Sequence, residues 1–167
     1  MASTASELRD ELKAMEDSWQ KMYDEDEVGK GKAMLLLALR IRQRCQKYFE
    51  THLNAEQLSK HMKVVDQKVF ESHAACAQDC LDAGAYRDTL KHTQKALELA
   101  QQHGGAWNES AVMNVLHFEK EAWKGLGERT KYLAVAERRV QAMAQLPPGV
   151  LGDERAAALV EIATVQI

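Results

Sequence analysis

Features typical of secreted, membrane-spanning or sheet-rich proteins are scarce in this sequence of 167 residues. It contains only two prolines and three cysteines, and the cysteines show no disulfide spacing, which agrees with a reducing compartment. No apolar run approaches the roughly 18 to 20 residues of a membrane span, and the polar start does not fit a secretory signal. We therefore expect a soluble, cytoplasmic protein that has no membrane partner.

A strong excess of charge of one sign is also lacking, because the formal net charge is only −3. The charge is unevenly distributed: residues 7–27 carry nine acidic and three basic residues, whereas residues 28–49 carry six basic residues and no acidic one. The basic run, with Tyr48 and Phe49 available for stacking, could follow a phosphate backbone. We prefer the interpretation that the two segments form neighbouring antiparallel helices whose charges cancel, so nucleic acid is not the expected partner.

The abundant residues are alanine, leucine, glutamate, lysine and glutamine, which favour helices. A capping-box pattern at Thr4 and Glu7 predicts where the first helix starts. A single apolar seam, expected to pack on one partner only, then recurs in helical steps at Leu8, Leu12, Met15, Trp19 and Met22. We place a turn at 24–30 and a second helix at 31–51. Its continuous apolar run, residues 33–39, predicts a helix that is covered on several sides in the middle of the fold.

Residues 70–100 give the clearest pattern. Asn54 and Gln57 mark a helix start, and helical spacing continues from there to Gly84, which predicts one helix of about 30 residues. The spacing restarts at Tyr86, and a connection this short forces the two helices to be antiparallel. Gly84 suits the left-handed conformation that follows many helices.

The rest of the chain predicts three more helices. Asn108 can cap a helix that ends before Gly127, and an apolar stripe after that glycine predicts the next helix. Residues 147–149, Pro-Pro-Gly, end this sixth helix, and Asp153 can cap a last, mostly apolar one. The fold class is therefore expected to be all-α, with about seven helices in antiparallel hairpins.

The hairpin of residues 70–100 resembles a tetratricopeptide repeat. The positions that match this repeat are Ala77, Gly84, Tyr86, Ala96 and Leu97, and those that depart from it are His73, Cys76, Cys80 and Thr89. Gly84 and Gly127 are 43 positions apart, which is similar to the long repeats of kinesin light chain and related adaptor proteins. The resemblance implies a right-handed array within one domain. Residues 1–53 would be an N-terminal helical hairpin, 54–146 two repeat-like hairpins and 150–167 a capping helix.

The function that this resemblance implies is that of a protein–protein interaction scaffold or adaptor. The partner would be an internal peptide or an amphipathic helix, held in a groove lined by the first helix of each repeat. In the first unit the groove positions are Glu71, Ala74, Gln78 and Asp82. In the second unit they are Asn114, His117, Glu121 and Lys124. Gln78 and Asn114 would bind the backbone of the partner, and Lys124 an acidic side chain.

Two alternatives remain open. The chain could be a structural helical-bundle subunit that assembles with copies of itself or within a larger complex. It could instead be a metal- or thiol-dependent enzyme, since His73, Cys76 and Cys80 lie on one helix face. A fourth metal ligand would have to come from His52, His61, His92, His103 or His117. We prefer a packing role for this cluster, and we expect no catalytic residue, no metal and no cofactor.

Overall fold

The computed structural model describes residues 5–25, 27–104, 109–145 and 152–166. Within these ranges the chain forms seven α-helices and no strand, which confirms the predicted all-α class. The helices are α1 (Ala5–Asp24), α2 (Gly31–His52), α3 (Ala55–Asp82), α4 (Tyr86–Gln102), α5 (Glu109–Gly125), α6 (Arg129–Ala144) and α7 (Gly152–Gln166). None of the helices in the described part of the chain is both long enough and apolar enough to cross a membrane.

Helix α3 is the element on which most of the others pack. It is 28 residues long, or about 42 Å at 1.5 Å per residue, and it lies against α2, α4 and α5. It starts where Asn54 and Gln57 predicted, and these residues form a capping box. The Asn54 side chain accepts a hydrogen bond from the Gln57 amide at 2.8 Å, and the Gln57 side chain accepts one from the Asn54 amide. The long third helix expected from the sequence is therefore confirmed.

Asp79 of α3 caps the first turn of α2. Lys30, the residue before α2, provides no side-chain cap. Instead the two carboxylate oxygens of Asp79 accept hydrogen bonds from the Gly29 and Gly31 amides, at 3.1 and 2.8 Å. A Cβ atom at Gly31 would lie 2.6 Å from the backbone nitrogen of Cys76, so only glycine lets the start of α2 touch the backbone of α3.

Asp66, in the first half of α3, joins three helices. It is only 4% exposed, and a buried carboxylate is tolerated when partners satisfy it. The Nε atom of Arg42 in α2 donates to Asp66 at 2.7 Å, and Nε2 of His103, just after α4, lies 2.9 Å from the other carboxylate oxygen. This contact fixes α2, α3 and the end of α4 relative to one another.

The apolar seam of α1 reaches α3 as well as α2. Trp19 is buried, and its indole Nε1 donates to the Ser72 hydroxyl of α3 at 2.8 Å. The Ser72 hydroxyl in turn donates to the backbone oxygen of Lys68 at 2.7 Å. The expectation that this seam packs on a single partner is wrong, because α1 packs on α2 and its Trp19 side chain also forms a hydrogen bond with α3.

Two turns have the same backbone hydrogen bonds. At the end of α3 the Gly84 amide donates to Leu81 and the Ala85 amide to Cys80, and at the end of α5 Gly127 and Glu128 repeat both bonds. This pair of bonds, with a glycine at positive φ, is the Schellman motif; both glycines have a φ of 73°. Every residue in the second turn lies 43 positions after its equivalent in the first. The α3–α4 and α5–α6 hairpins therefore close in the same way.

The apolar run of α2 is not covered on several sides, contrary to expectation. Leu36 and Leu39 are 66% and 44% exposed, because α2 packs on α1 and α3 and no other described helix covers its remaining face.

The expected charge cancellation is also incomplete. Glu11 and Arg44 form an ion pair at 3.2 Å between α1 and α2, whereas Arg42 turns to α3.

Three of the predicted helix boundaries lie outside the described residues: the capping box at Thr4, the cap at Asn108 and the stop at 147–149. Asp153 lies inside α7, which begins one residue earlier at Gly152, so it is a first-turn acid and not the residue preceding the helix. The division of the domain into 1–53, 54–146 and 150–167 stays a prediction. The packing of α2, more extensive on α3 than on α1, ties the first of these segments closely to the second.

Replacing Asp79 by alanine should destabilise the protein by about 1 to 3 kcal/mol, because two amides at the start of α2 lose a charged acceptor. Asp79→Asn should destabilise the protein less, since its amide oxygen still accepts one of the two hydrogen bonds. Urea unfolding followed by circular dichroism measures both changes. Asp82→Ala, an exposed position on the same helix, is the control and should change stability by no more than about 0.5 kcal/mol. Equal losses for Asp79→Ala and Asp82→Ala would contradict the capping role.

Candidate functional site

A groove opens where α3 and α5 lie side by side, next to the turn between α1 and α2. Its volume is about 330 Å³. We call it the seam groove, and it is lined by Tyr23, Lys30, Met34, Glu71, Ala74, Ala75, Gln78, Ala111, Asn114 and Phe118. The structure thus brings together four of the groove positions that the sequence predicted: Glu71, Ala74, Gln78 and Asn114.

A second recess lies further along the same pair of helices. It is lined by Leu81, Tyr86, Glu121, Lys124 and Gly125, so it contains two more of the predicted residues; we call it the Tyr86 recess. The Tyr86 ring rests on Gly125, where a Cβ atom would come within 2.3 Å of the ring.

The order of the lining residues shows how the two helices run. Residues 71–78 of α3 share the seam groove with 111–118 of α5, and Leu81 shares the Tyr86 recess with Glu121. The numbers rise together along both helices, so α3 and α5 run parallel. The seam groove and the Tyr86 recess therefore follow one another along a single seam.

Asp82 and His117, also predicted for the site, line neither cavity within the described residues. Asp82 is exposed at the end of α3. The His117 imidazole is half-buried beside Phe118, with the ring centroids 6.1 Å apart, and its Nδ1 atom is buried without a described hydrogen-bond partner. Burial lowers the pKa of His117, and the nearby charges of Lys120 and Arg139 lower it further.

The polar groups of the seam groove differ in how far the fold satisfies them. Gln78 and Asn114 are exposed, and neither side chain makes a hydrogen bond to any described residue. The Lys30 ammonium donates to the backbone oxygens of Tyr23, at 3.0 Å, and Glu25. The Glu71 carboxylate is half-buried, and burial raises its pKa. The groove therefore offers two free amides and one carboxylate to a ligand.

Sequence reasoning missed the contribution of α1 and α2 to this groove. Tyr23 lies off the apolar seam of α1, but its ring stacks on Trp19 with the centroids 5.1 Å apart, which turns it toward the groove. An aromatic pair spaced four residues apart on a helix was the available signal. Lys30 and Met34 enter because Asp79 pins the start of α2 against α3, and nothing in the local sequence indicates that contact.

Two further cavities lie on other parts of the surface. One, of about 330 Å³, is lined by Gln94 of α4, Trp123 of α5 and Arg138 of α6 among others, so it uses a different face of α5. Another, of about 320 Å³, is an apolar gap between the first half of α1 and the second half of α2, next to Leu8, Leu12 and Phe49. Neither contains a residue predicted for partner binding.

The three side chains of the His73, Cys76 and Cys80 cluster lie in different surroundings. Cys76 is buried against the start of α2, and burial raises the pKa of its thiol to about 12. Burial also raises the pKa of Cys80, so both thiols are protonated at neutral pH. Both are free cysteines. In the described ranges no group of three or more histidine, cysteine or acidic side chains is placed to hold a metal ion.

His73 forms a pair with His92 of α4 instead. Their Nδ1 atoms are 3.1 Å apart, so one ring must donate and the other accept. Burial and the neighbouring His92 lower the pKa of His73 to about 4, and burial lowers the pKa of His92 too. The pair is therefore neutral at pH 7 and joins α3 to α4 by a hydrogen bond between uncharged imidazoles.

Comparisons of this chain with protein-family models, with curated proteins and with solved structures found no match. The resemblance to tetratricopeptide repeats therefore stays a prediction from the sequence. A functional assignment has to rest on the geometry of the grooves and on the residues that line them.

The His73–His92 pair should make the protein less stable as the pH falls from about 6.5 to about 4. Because the pKa of His73 is lower in the folded chain, the unfolded chain binds more protons in this window, and stability is lost as the pH drops through it. At about 1.4 kcal/mol per pKa unit the whole shift would correspond to roughly 3 to 4 kcal/mol. Because the imidazole is only partly buried, solvent screening reduces the expected loss to the order of 2 kcal/mol. Urea unfolding measured across this pH range tests it.

His73→Phe should give a shallower dependence of unfolding free energy on pH than the wild type. His52→Phe, at an exposed position, is the matched control and should keep the wild-type dependence. An unchanged dependence in the His73→Phe protein would show that protonation of this buried pair does not govern acid stability.

Proposed function

We propose that the chain is a tetratricopeptide-like interaction scaffold that binds a peptide or an amphipathic helix of another protein along the α3–α5 seam. The observation that carries this proposal is the placement of Gln78 and Asn114, both exposed and free of described hydrogen bonds, in one groove between two parallel helices. Lys124 lies further along the same seam.

The repeated turns support the tetratricopeptide-like part of the proposal. Gly84 and Gly127 have the same φ and the same hydrogen bonds, 43 positions apart. Two hairpins that close alike and whose first helices run side by side in parallel make a short stack of repeats. In such a stack the first helices line a continuous surface, which is where the groove lies.

The chemistry of the seam groove suits a polypeptide. Between its polar residues, the small side chains of Ala74, Ala75 and Ala111 leave room for the backbone of a partner. An amide side chain both donates and accepts hydrogen bonds. Gln78 and Asn114 can therefore bind the N–H and C=O groups of a peptide backbone whatever its sequence. Lys124 adds a charge that selects an acidic side chain.

The double substitution Gln78→Ala with Lys124→Glu should weaken binding of a partner peptide by about 1 to 3 kcal/mol, because an amide contact is lost and a charge contact becomes repulsive. A peptide selected on the wild-type protein from a display library serves as the ligand, and fluorescence anisotropy measures its affinity. Helicity should not change, since both side chains are exposed.

The matched control is Gln94→Ala with Lys95→Glu, which makes the same two changes on exposed positions of α4. It should bind the peptide like the wild type. Weakening by the α4 variant, together with normal binding by the seam variant, would place the binding site on the other side of the array and remove the support for the seam.

A second candidate function, assembly with copies of the chain or within a larger complex, is favoured by a different observation. Leu36 and Leu39 on α2, and Leu159 and Val160 on α7, leave apolar side chains open to solvent. Exposed apolar faces of this kind mark association surfaces when they are contiguous. If the wild type self-associates in sedimentation velocity, Leu36→Lys with Leu39→Lys should restore the monomer, whereas the seam variant should not.

A further inference from the structure

Glu71 is the one acidic side chain among the residues that line the seam groove. It is half-buried, and within the described residues no hydrogen bond or ion pair involves its carboxylate. Burying a carboxylate without a partner is unfavourable, as its raised pKa reflects. A group that loses hydration and gains no partner within its own fold is well placed to take one from a ligand.

Lys30, the one cation among the residues that line the groove, is not available to Glu71. The Lys30 ammonium is held by the backbone oxygens of Tyr23 and Glu25, and Lys30 is not among the groups that shift the pKa of Glu71. Tyr23, by contrast, lies close enough for the charge of Glu71 to raise the pKa of its phenol. Tyr23 is 44% exposed, and one face of its ring stacks on Trp19. A carboxylate beside a partly exposed aromatic ring matches a guanidinium or ammonium group in two ways, by charge and by cation–π contact.

Resting on the proposed function, we infer that the bound segment carries an arginine or lysine that contacts Glu71 and the Tyr23 ring. The same segment carries an acidic side chain that points to Lys124, so the two charges fix its direction along the seam. Arginine is the better fit, because its planar group can pair with the carboxylate and stack on the ring together.

The spacing of the two charges in the partner follows from the spacing of their sites. Leu81, which shares the Tyr86 recess with Lys124, is ten residues after Glu71, or about 15 Å along α3. An extended segment covers that distance in about five residues, at roughly 3.3 Å each, and a helical one in about ten. The partner should therefore have its basic and acidic residues about five apart if extended, or about ten apart if helical.

Selection of peptides from a random display library on the wild-type protein and on Glu71→Gln tests this inference. Peptides enriched on the wild type should share one arginine or lysine and one acidic residue at the stated spacing. The order of these two residues along the peptide should be the same in all of them. In a double-mutant cycle, replacing the basic residue of the peptide by alanine should weaken its binding to the wild-type protein on the order of tenfold. The same replacement should hardly affect binding to the Glu71→Gln protein. Glu56→Gln, an exposed acid at the start of the same helix, should behave as the wild type.

The outcomes separate this inference from the proposed function on which it rests. Peptides that lose affinity with Gln78→Ala and Lys124→Glu, but contain no shared basic residue or show no coupling to Glu71, would overturn the inference and leave the seam as the binding surface. Peptides that respond to neither set of substitutions would overturn both.

Discussion

Two carboxylates on α3 hold the neighbouring helices in place. Asp79 accepts hydrogen bonds from the Gly29 and Gly31 amides at the start of α2. Asp66 accepts one from Arg42 of α2, and His103 at the end of α4 lies against its other carboxylate oxygen. Buried or partly buried acids are tolerated because each is given donors on a different helix. The register of α2 and α4 on α3 thus depends on these polar contacts, whereas the apolar core between the helices is less directional.

The same constraint shapes the candidate site. Because Asp79 draws the start of α2 onto α3, Lys30 and Met34 reach the seam groove, and the hydrogen bond between Trp19 and Ser72 brings the end of α1 beside it. A helix fixed on several sides gives a rigid wall, and binding groups on a rigid wall lose little entropy when a partner arrives. The face of α3 that lines the seam groove carries Glu71 and Gln78. Glu71 lets the groove select a partner by its charge, and Gln78 lets it bind the partner's backbone.

Much of this fold could be read from periodicity and glycine positions. Asn54 with Gln57 indicated the start of α3, and a restart of the apolar pattern after Gly84 indicated the start of α4. Both are local signals. The exposure of Leu36 and Leu39 could not be predicted in the same way, since an apolar run in a helix does not indicate how many other helices pack on it. Part of the groove was predicted: Glu71, Gln78 and Asn114 follow from repeat positions. The spacing of Tyr23 from Trp19 was a local signal that was not used, whereas Lys30 and Phe118 depend on long-range contacts that one sequence does not encode in any local pattern.

Site-specific photo-crosslinking tests the central claim, that partners bind on the α3–α5 seam, most directly. A photoreactive amino acid replaces Gln78 in one protein. In a second protein it replaces Gln94 of α4, which lines the cavity on the other face of α5, and each protein is irradiated in cell extract. The account predicts that position 78 captures a discrete partner, that Lys124→Glu in the same chain reduces this capture, and that position 94 does not capture it. Capture of the same partner at position 94, or capture at position 78 that is unaffected by Lys124→Glu, would contradict the account.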